Sequence, residues 1–288
     1  MNPEDIRRYG HMLYQAMQSR QSVRPLTEQA PDISIDDAYQ ISLQFLQHRL
    51  DAGERIVGKK IGLTSHAVQH MLGVDQPDFG YLTDKMVYSQ GQEIDVGQSM
   101  IQPRAEGEIA FILKKDLMGP GISAADVLAA TECVMPCFEI VDSRIESWQI
   151  KIQDTIADNA SCGVLLLGDT AVSPRKLDLA TCGMVVEKNG KIISTGAGAA
   201  ALGSPVNCVA WLANTLGRFG IGLKAGEVIL SGALCRSNGC SRAIIFRCLS
   251  AASAKLPCAS TEFQTASVST SVCRVWQAAG FIGFYQAV

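Results

Sequence analysis

The chain has 288 residues, of which 47% are hydrophobic, and it carries a formal net charge of −3. This composition predicts a globular protein with a substantial core, excludes a disordered chain, and argues against nucleic acid as the main partner. No stretch reaches ~18 uninterrupted apolar residues and the first residues lack an apolar signal core, so we expect a cytoplasmic protein that does not bind membranes.

The N-terminal part of the sequence predicts two helices. Residues 3–22 place Ile6 and Leu13 on one apolar stripe with a helical period. A second helix begins after Ser34, where an S-x-x-D capping pattern starts, and ends at Gly53. Residues 1–54 are therefore expected to form a helical N-terminal portion.

From residue 55 onward the pattern changes to short apolar runs separated by Gly, Pro and Asp, which is typical of strands. The predicted strands are 55–63, 105–114, 133–145, 163–168, 183–187, 191–195 and 226–231. Asn189-Gly190 indicates a two-residue hairpin turn, and a later helix is predicted over 205–218. The sequence thus predicts an α+β fold in which a β body follows the helices.

The stretch "QPRAEGEIAFIL" contains two acidic residues inside an apolar run. In a strand, Glu106 and Glu108 point to the same face because they are two residues apart. Burying both as unpaired ions would cost roughly several kcal/mol each. The face is solvated, or one carboxyl is protonated, or a cation lies between the two.

A third acid, Glu139, lies in the second apolar run "CVMPCFEIVDSRI" and makes the shared cation a strong alternative. Carboxylate oxygens without histidine suit Mg²⁺ or Mn²⁺ in octahedral geometry. Three protein ligands would leave positions for a chelating 2-oxo or 2-enol carboxylate and for water.

Other polar residues are candidates with simpler structural alternatives. Lys60, in "GKKIGLTS", is either a surface lysine or a partly desolvated proton donor whose pKa burial would lower. Asp78 lies in "VDQPDFGYL", which has the composition of a turn-rich loop. The cluster "DTIADNASCG", with Asn159 and Ser161, either lines a pocket or forms a plain loop.

The glycine-rich stretch "GAGAAALG" at 196–203 matches the G-x-G-x-x-A pattern of dinucleotide-binding proteins. That reading also requires a βαβ frame and an acidic residue about 20 positions further on. A hairpin precedes the glycines, and 215–222 read "TLGRFGIG" without an acid. We therefore do not expect a nicotinamide site.

Several motifs together carry a family resemblance. They are "GKKIGLTS", "GVDQPDFGYLTDKM", "IQPRAEGEIAFILKKDL", "FEIVDSRIESWQIKIQDTIADNASCG" and "GAGAAALGSPVNCVAWLANTLG". This combination resembles the 2-hydroxypenta-2,4-dienoate hydratases of aromatic meta-cleavage pathways, which belong to the fumarylacetoacetate hydrolase-like superfamily. The resemblance extends to about Leu234.

The resemblance implies a mixed β-roll over 55–234 and a divalent metal, Mg²⁺ or Mn²⁺. The implied metal ligands are Glu106, Glu108 and Glu139, the implied acid/base residues are Lys60 and Asp78, and the expected substrate-binding residues are Asn159 and Ser161. The implied reaction ketonises 2-hydroxypenta-2,4-dienoate and adds water at C4, giving 4-hydroxy-2-oxopentanoate.

The sister enzyme 4-oxalocrotonate decarboxylase is the main alternative, because it uses the same scaffold and metal. Its pattern is closer to "HPRVEPEIAF", so Gln102 and Gly107 favour the hydratase. The resemblance also implies a homo-oligomer and a complex with the decarboxylase.

After Leu234 the family pattern stops without a linker. Residues 235–288 contain five of the ten cysteines, eight serines and a single acid, Glu262. We hypothesise a frameshift, because reverse translation read from the third base of the Leu234 codon allows "VPLEWLQPGDHFSVSVGGIGK", which resembles the missing family ending. The tail is then expected to be poorly ordered or to pack non-natively, with an unpaired sheet edge and strand-like pieces at "AIIFRCLS" and "VCRVW". An inactive product of a frameshifted hydratase gene is the third alternative.

Overall fold

A computed structural model of the chain describes residues 1–235, 238–239, 245–251 and 273–276. The helices are α1 (Pro3–Ser19), α2 (Leu26–Gln29), α3 (Ile35–Asp51), α4 (His66–Leu72), α5 (Val96–Ser99), α6 (Ala124–Ala130), α7 (Ile152–Ala157) and α8 (Pro205–Gly217). The strands are β1 (Ile56–Gly62), β2 (Asp78–Thr83), β3 (Val87–Ser89), β4 (Glu93–Ile94), β5 (Arg104–Leu113), β6 (Thr131–Val141), β7 (Cys162–Leu167), β8 (Gly183–Lys188), β9 (Lys191–Ala197), β10 (Val228–Leu230), β11 (Asn238–Gly239), β12 (Ile245–Ala251) and β13 (Cys273–Trp276). No helix among the described residues is long and apolar enough to cross a membrane.

The N-terminal helices form as the sequence predicts. The backbone N–H of Asp37 donates to Ser34 Oγ at 3.1 Å and the Asp37 carboxylate accepts the Ser34 N–H at 3.0 Å, which is a capping box at the start of α3. Helices α1 and α3 approach closely at Gly10, where an added Cβ would lie 2.4 Å from the Gln44 Cβ. The two helices share an apolar cluster with α7.

The main sheet contains the predicted site. Its strand order is β2-β1-β10-β5-β6-β7-β3, with β11 also paired to β5. The β1–β10 and β3–β7 pairs are parallel and the other pairs are antiparallel, so the sheet is mixed. The long β5–β6 pair is central, and α8 packs through Val209 and Leu212 into a large apolar core that also contains Phe111 and Phe138. This core covers the sheet face opposite the one that carries the acidic residues.

A second sheet has the order β4-β13-β12-β8-β9. Asn189 and Gly190 join β8 to β9 with φ angles of +52° and +76°, and Lys188 pairs with Lys191. This is the hairpin that the sequence predicts, and Asn and Gly occupy the turn because both tolerate positive φ.

The predicted α+β architecture is confirmed, with corrections at two motifs. Asp78 is the first residue of a buried strand and does not lie in a loop, because it pairs with Gly62 of β1. Its carboxylate accepts a hydrogen bond from the Thr155 hydroxyl. The first part of "DTIADNASCG", residues 154–163, for which a plain loop was one alternative, belongs to helix α7, where the Asp154 carboxylate accepts the Lys151 N–H at 2.9 Å in the first turn.

In the tail, β12 and β13 lie in the two predicted strand-like pieces. β12 is antiparallel to β8, and β11 is antiparallel to β5, so these strand edges are paired where an unpaired edge was expected. The remaining predictions for the tail concern residues outside the described part of the chain.

The parallel β1–β10 contact supplies a stability prediction. A Cβ on Gly58 would lie 1.9 Å from the Val228 carbonyl oxygen, whereas a Cβ on Gly183, also in a strand, meets no heavy atom within 4 Å. We expect Gly58→Ala to lower the free energy of unfolding by about 1–3 kcal/mol, because the two strands must separate. Gly183→Ala should be close to neutral in thermal melting, and equal melting temperatures for the two variants would contradict the β1–β10 register.

Candidate metal centre

The strand register brings three glutamates together. Glu106 pairs directly with Glu139 across the β5–β6 ladder, and Glu108 lies two residues further along the same face of β5. One carboxylate oxygen of each residue lies within 4.8 Å of the others. The sequence predicted the shared face of Glu106 and Glu108, and the ladder adds Glu139.

Three of the six oxygens of these glutamates are buried without a hydrogen bond in the part of the chain that the structure describes. Glu108 and Glu139 are 0% exposed, whereas Glu106 is half-buried at the open end of the cluster. The Gly232 N–H donates to Glu108 Oε2 at 2.8 Å. Glu108 Oε1 accepts no hydrogen bond in that part of the chain, and Glu139 meets the Lys60 ammonium, 3.3 Å from its Oε1, without a hydrogen bond of good geometry. Buried carboxylate oxygens are normally satisfied, so these ones indicate a site for a ligand.

Electrostatics give the same indication. Burial and the neighbouring Glu139 raise the pKa of Glu106 to about 7. Burial, with Glu139 and Glu106, raises the pKa of Glu108 well above its usual range. Ionisation of all three glutamates is unfavourable unless a further positive charge lies close to them. A set of oxygen donors that lacks positive charge fits a hard divalent cation.

Lys60 extends from β1 towards the cluster. Its Nζ lies 3.3 Å from Glu139 Oε1 and its side chain is 4% exposed, so it is not a surface lysine. Burial acts to lower the pKa of Lys60, but the charges of Glu139 and Asp78 outweigh it and raise the pKa overall. The lowered pKa expected for a lysine beside a metal ion stays a prediction, because the acidic neighbours raise the pKa when no cation accompanies them.

Asp78 lies close to Lys60. The Thr155 hydroxyl donates to Asp78 Oδ2 at 3.3 Å, and Oδ1 has no hydrogen-bond partner among the described residues. A Cβ on Gly62 would lie 2.2 Å from Asp78 Oδ1 and 3.3 Å from Lys60 Nζ, so the two side chains share the space that this glycine leaves. Burial raises the pKa of Asp78 while Lys60 opposes that change.

Asn159 and Ser161 are buried nearby, but their hydrogen bonds are to protein groups. The Asn159 amide donates to the Tyr81 carbonyl at 3.0 Å and accepts the Tyr81 N–H at 2.8 Å. Ser161 Oγ donates to the Asp158 carboxylate at 3.2 Å, and that carboxylate also pairs with the buried Arg144. These contacts fix the backbone beside β2, and a direct role in substrate binding stays a prediction.

Two side chains at the site were missed from sequence. Arg104, two residues before Glu106, lies on the same face of β5, and its Cζ is 4.3 Å from the Trp148 ring centroid. The Trp148 indole N–H donates to the Gln102 carbonyl at 3.0 Å. The alternation of side chains along a strand, which places Glu106 and Glu108 on one face, places Arg104 on that face too. Nothing in the sequence around Trp148 predicts that its ring lies beside Arg104.

A family model supports this architecture. The model described as "Fumarylacetoacetate (FAA) hydrolase C-terminal" matches residues 55–256, which extends past Leu234. The chain belongs to the fumarylacetoacetate hydrolase family.

Family members with curated names include close relatives of this chain. It is 72% identical over 216 residues to a 2-hydroxypent-2,4-dienoate hydratase of Pseudomonas putida, covering 75% of this chain and 97% of that protein. It is 58% identical over 230 residues to a 2-hydroxyhexa-2,4-dienoate hydratase of Comamonas testosteroni, covering 80% of this chain and 87% of that protein.

A solved structure is also similar over nearly the whole chain. The 4-oxalocrotonate decarboxylase from Pseudomonas putida G7, complexed with magnesium and adipate, has a TM-score of 0.85 and 30% identity, covering 96% of this chain and 98% of that one. At 12% identity, a fumarylpyruvate hydrolase from Pseudomonas aeruginosa covers 76% of this chain and 89% of that one, with a TM-score of 0.53, and shares the fold.

The contacts of Asn159 can be tested separately from substrate binding. Asn159→Ala leaves the Tyr81 N–H and carbonyl without partners and places alanine at a φ of +53°. We expect the free energy of unfolding to fall by about 1–3 kcal/mol for each buried group left unpaired. Asn207→Ala, which removes one exposed hydrogen bond to the Leu202 carbonyl, is the control in thermal melting. A raised KM with an unchanged melting temperature would instead favour a substrate contact by Asn159.

Proposed function

We propose that this chain is a hydratase that adds water to 2-hydroxypenta-2,4-dienoate to give 4-hydroxy-2-oxopentanoate. The observation that carries the proposal is the group of three facing carboxylates with unpartnered buried oxygens, in a chain 72% identical to a named dienoate hydratase. The proposed reaction belongs to the meta-cleavage pathway by which aromatic compounds are degraded.

We propose that Glu106, Glu108 and Glu139 hold a divalent cation, Mg²⁺ or Mn²⁺. One structure of the 4-oxalocrotonate decarboxylase neighbour is complexed with magnesium and adipate, and another with calcium and acetate. When bound, the cation would supply positive charge that stabilises the negative charge developing on the 2-oxo acid. The Gly232 N–H holds Glu108 Oε2 and leaves Oε1 open to the ion.

Lys60 and Asp78 are the proposed acid/base residues. Lys60 has protons to donate and is oriented by Glu139, whereas Asp78 has one oxygen without a partner and another fixed by Thr155. A donor and an acceptor that share one buried space can move protons to and from the carbon atoms of a dienol.

The sheet face that carries Glu108 and Glu139 becomes apolar beyond them, where the side chains of Ala110 and Leu165 lie.

The structure gives a physical basis for preferring the hydratase over the decarboxylase. A Cβ on Gly107 would lie 2.5 Å from Met184 Sδ and 3.1 Å from Val186 Cγ2, so a proline at this position, as in "HPRVEPEIAF", would require these β8 side chains to repack. The Gln102 amide donates to the Ser143 carbonyl at 2.8 Å and to the Ile145 carbonyl, contacts that anchor the start of β5. Decarboxylation of 4-oxalocrotonate is therefore the second candidate.

Assembly and location are proposed on the resemblance alone. We propose a homo-oligomer, a complex with a 4-oxalocrotonate decarboxylase, and a cytoplasmic location, because these accompany the resemblance given by the motifs. The proposed substrate is a small anionic 2-hydroxydienoate.

Substitution of the three glutamates and metal removal test the proposed function. We expect Glu106→Gln, Glu108→Gln and Glu139→Gln each to lower kcat/KM by about 10²-fold or more, because each removes charge from the proposed cation site. A chelator should abolish the loss of the dienol's ultraviolet absorbance, and added Mg²⁺ or Mn²⁺ should restore it.

The matched control is Glu132→Gln, on the same strand as Glu139 but exposed and paired with Lys114. It should leave turnover unchanged. Activity that survives both the chelator and Glu139→Gln would refute the metal-dependent mechanism. Release of CO₂ from 4-oxalocrotonate, without hydration of the dienoate, would assign the chain to the decarboxylases.

The frameshift hypothesis predicts a gain of function on repair. A variant that continues from Leu234 with "VPLEWLQPGDHFSVSVGGIGK" should give a higher soluble yield and a higher kcat than the present chain, because the family ending would replace the tail. Equal yield and turnover for the two proteins would show that the altered tail does no harm.

A further inference from the structure

Arg104 lies at the open end of the site. It occupies the first position of β5, on the same face as Glu106 and Glu108. Exposure falls along this face, since Arg104 and Glu106 are half-buried and Glu108 is 0% exposed. A ligand that reaches the carboxylate cluster along this face therefore passes Arg104.

The guanidinium of Arg104 is held in place but unpaired. Its Cζ is 4.3 Å from the Trp148 ring centroid, and among the described residues it makes no hydrogen bond or ion pair. Buried arginines elsewhere have carboxylate partners, as Arg144 has in Asp158 and Arg49 in Glu54. Stacking fixes the plane of the guanidinium and leaves its edge of N–H donors available.

The segment that carries the Trp148 ring beneath Arg104 has an unusual backbone conformation. Ser147 and Trp148 have φ angles of +53° and +56°, a left-handed conformation that bulky residues rarely adopt. The indole N–H is also fixed on the Gln102 carbonyl at 3.0 Å. Backbone conformations of this kind concentrate at ligand-binding sites, so the strain supports a functional position for the ring.

The charge of the site requires a further cation for an anionic substrate. Glu106, Glu108, Glu139 and Asp78 face one buried ammonium, that of Lys60. Arg104 is a second positively charged group at the open end of this acidic cluster, two residues from Glu106 on the same strand face. Its guanidinium has the fork geometry that binds carboxylates in pairs of hydrogen bonds.

We propose that Arg104 binds the carboxylate of the substrate, a 2-oxo or 2-enol acid, and that Trp148 positions the guanidinium for that contact. This inference rests on the proposed hydratase function for the choice of substrate. Arg104 is a substrate-binding residue in this account, and Trp148 acts through it.

The test compares Arg104→Gln and Arg104→Lys with the parent protein loaded with Mn²⁺. The probes are 2-oxopentanoate and its uncharged counterpart 2-oxopentanamide, with binding followed by calorimetry and by tryptophan fluorescence. We expect Arg104→Gln to weaken 2-oxopentanoate binding about 10- to 100-fold, as the loss of a charge-assisted pair predicts, and to leave amide binding nearly unchanged. Arg104→Lys keeps the positive charge but loses the paired N–H donors of the guanidinium, so its affinity for 2-oxopentanoate should fall less than that of Arg104→Gln.

Two further variants separate positioning from general damage. Trp148→Leu should raise KM for the dienoate more than it lowers kcat, and Trp148→Phe, which keeps a ring face, should recover most of the loss. Arg8→Gln is the matched control, because Arg8 also lies 4.3 Å from a ring centroid, that of Tyr9, but is exposed on helix α1, outside the carboxylate cluster. Mn²⁺ affinity and melting temperature should stay within experimental error of the parent in all Arg104 variants.

The possible outcomes are distinct. Binding of 2-oxopentanoate that is unchanged in Arg104→Gln would overturn the proposal, and so would an equal loss for the acid and the amide. A parent protein that binds Mn²⁺ and 2-oxopentanoate through Arg104 but does not hydrate the dienoate would refute the proposed function and leave this inference standing. A parent that binds no 2-oxopentanoate would overturn the inference.

Discussion

The opposition of Glu106 and Glu139 across one antiparallel ladder is the constraint on which the rest of the site depends. Cross-strand neighbours on one face lie about 4.5–5.5 Å apart at Cβ, so like charges at such positions repel. Glu108 adds a third carboxyl to the same face, and burial removes the water that would weaken the repulsion. The surrounding fold must therefore supply stability that the site does not, and the large core on the opposite face of the sheet is the main source.

Two adjacent lysines on β1 form buried ion pairs that differ in how completely they are hydrogen-bonded. Lys59 and Lys60 point to opposite faces because a strand alternates its side chains. On one face, Lys59 Nζ lies 2.7 and 2.8 Å from the two oxygens of Glu227, which also accepts the Lys224 N–H, so that pair is fully hydrogen-bonded.

On the other face, Lys60 meets one oxygen of Glu139 at 3.3 Å, without a hydrogen bond of good geometry. A pair that is buried and only partly satisfied contributes less to stability than one that is complete. The incomplete pairing of Lys60 and Glu139 leaves both groups available to a ligand, which is what a proton-transferring site requires.

Period-two alternation was enough to predict that Glu106 and Glu108 share a face, and caps predicted α3 correctly. The contact with Glu139 depends on register between two strands, which a single sequence does not specify when both strands are nearly continuous apolar runs. Asp78 was assigned to a loop because Asp and Pro77 favour turns, but antiparallel pairing with Gly62 of β1 places it in a strand. Asn159 was a reasonable polar candidate, and only the structure shows that both ends of its amide are used by Tyr81.

The position of the sequence break determines which part of the site the tail can affect. The last family-like residues are attached directly to the site strand, since the Leu234 N–H donates to the Gly107 carbonyl at 3.0 Å and the Gly232 N–H donates to Glu108. The carboxylates are thus held by segments that precede the break. The tail strand β11 pairs with Ala105 and Arg104, and Cys235, the first tail residue, is buried beside Gly107, between the two glutamates of β5. An altered tail would therefore affect both the end of β5 that carries Arg104 and the strand segment that carries Glu106 and Glu108.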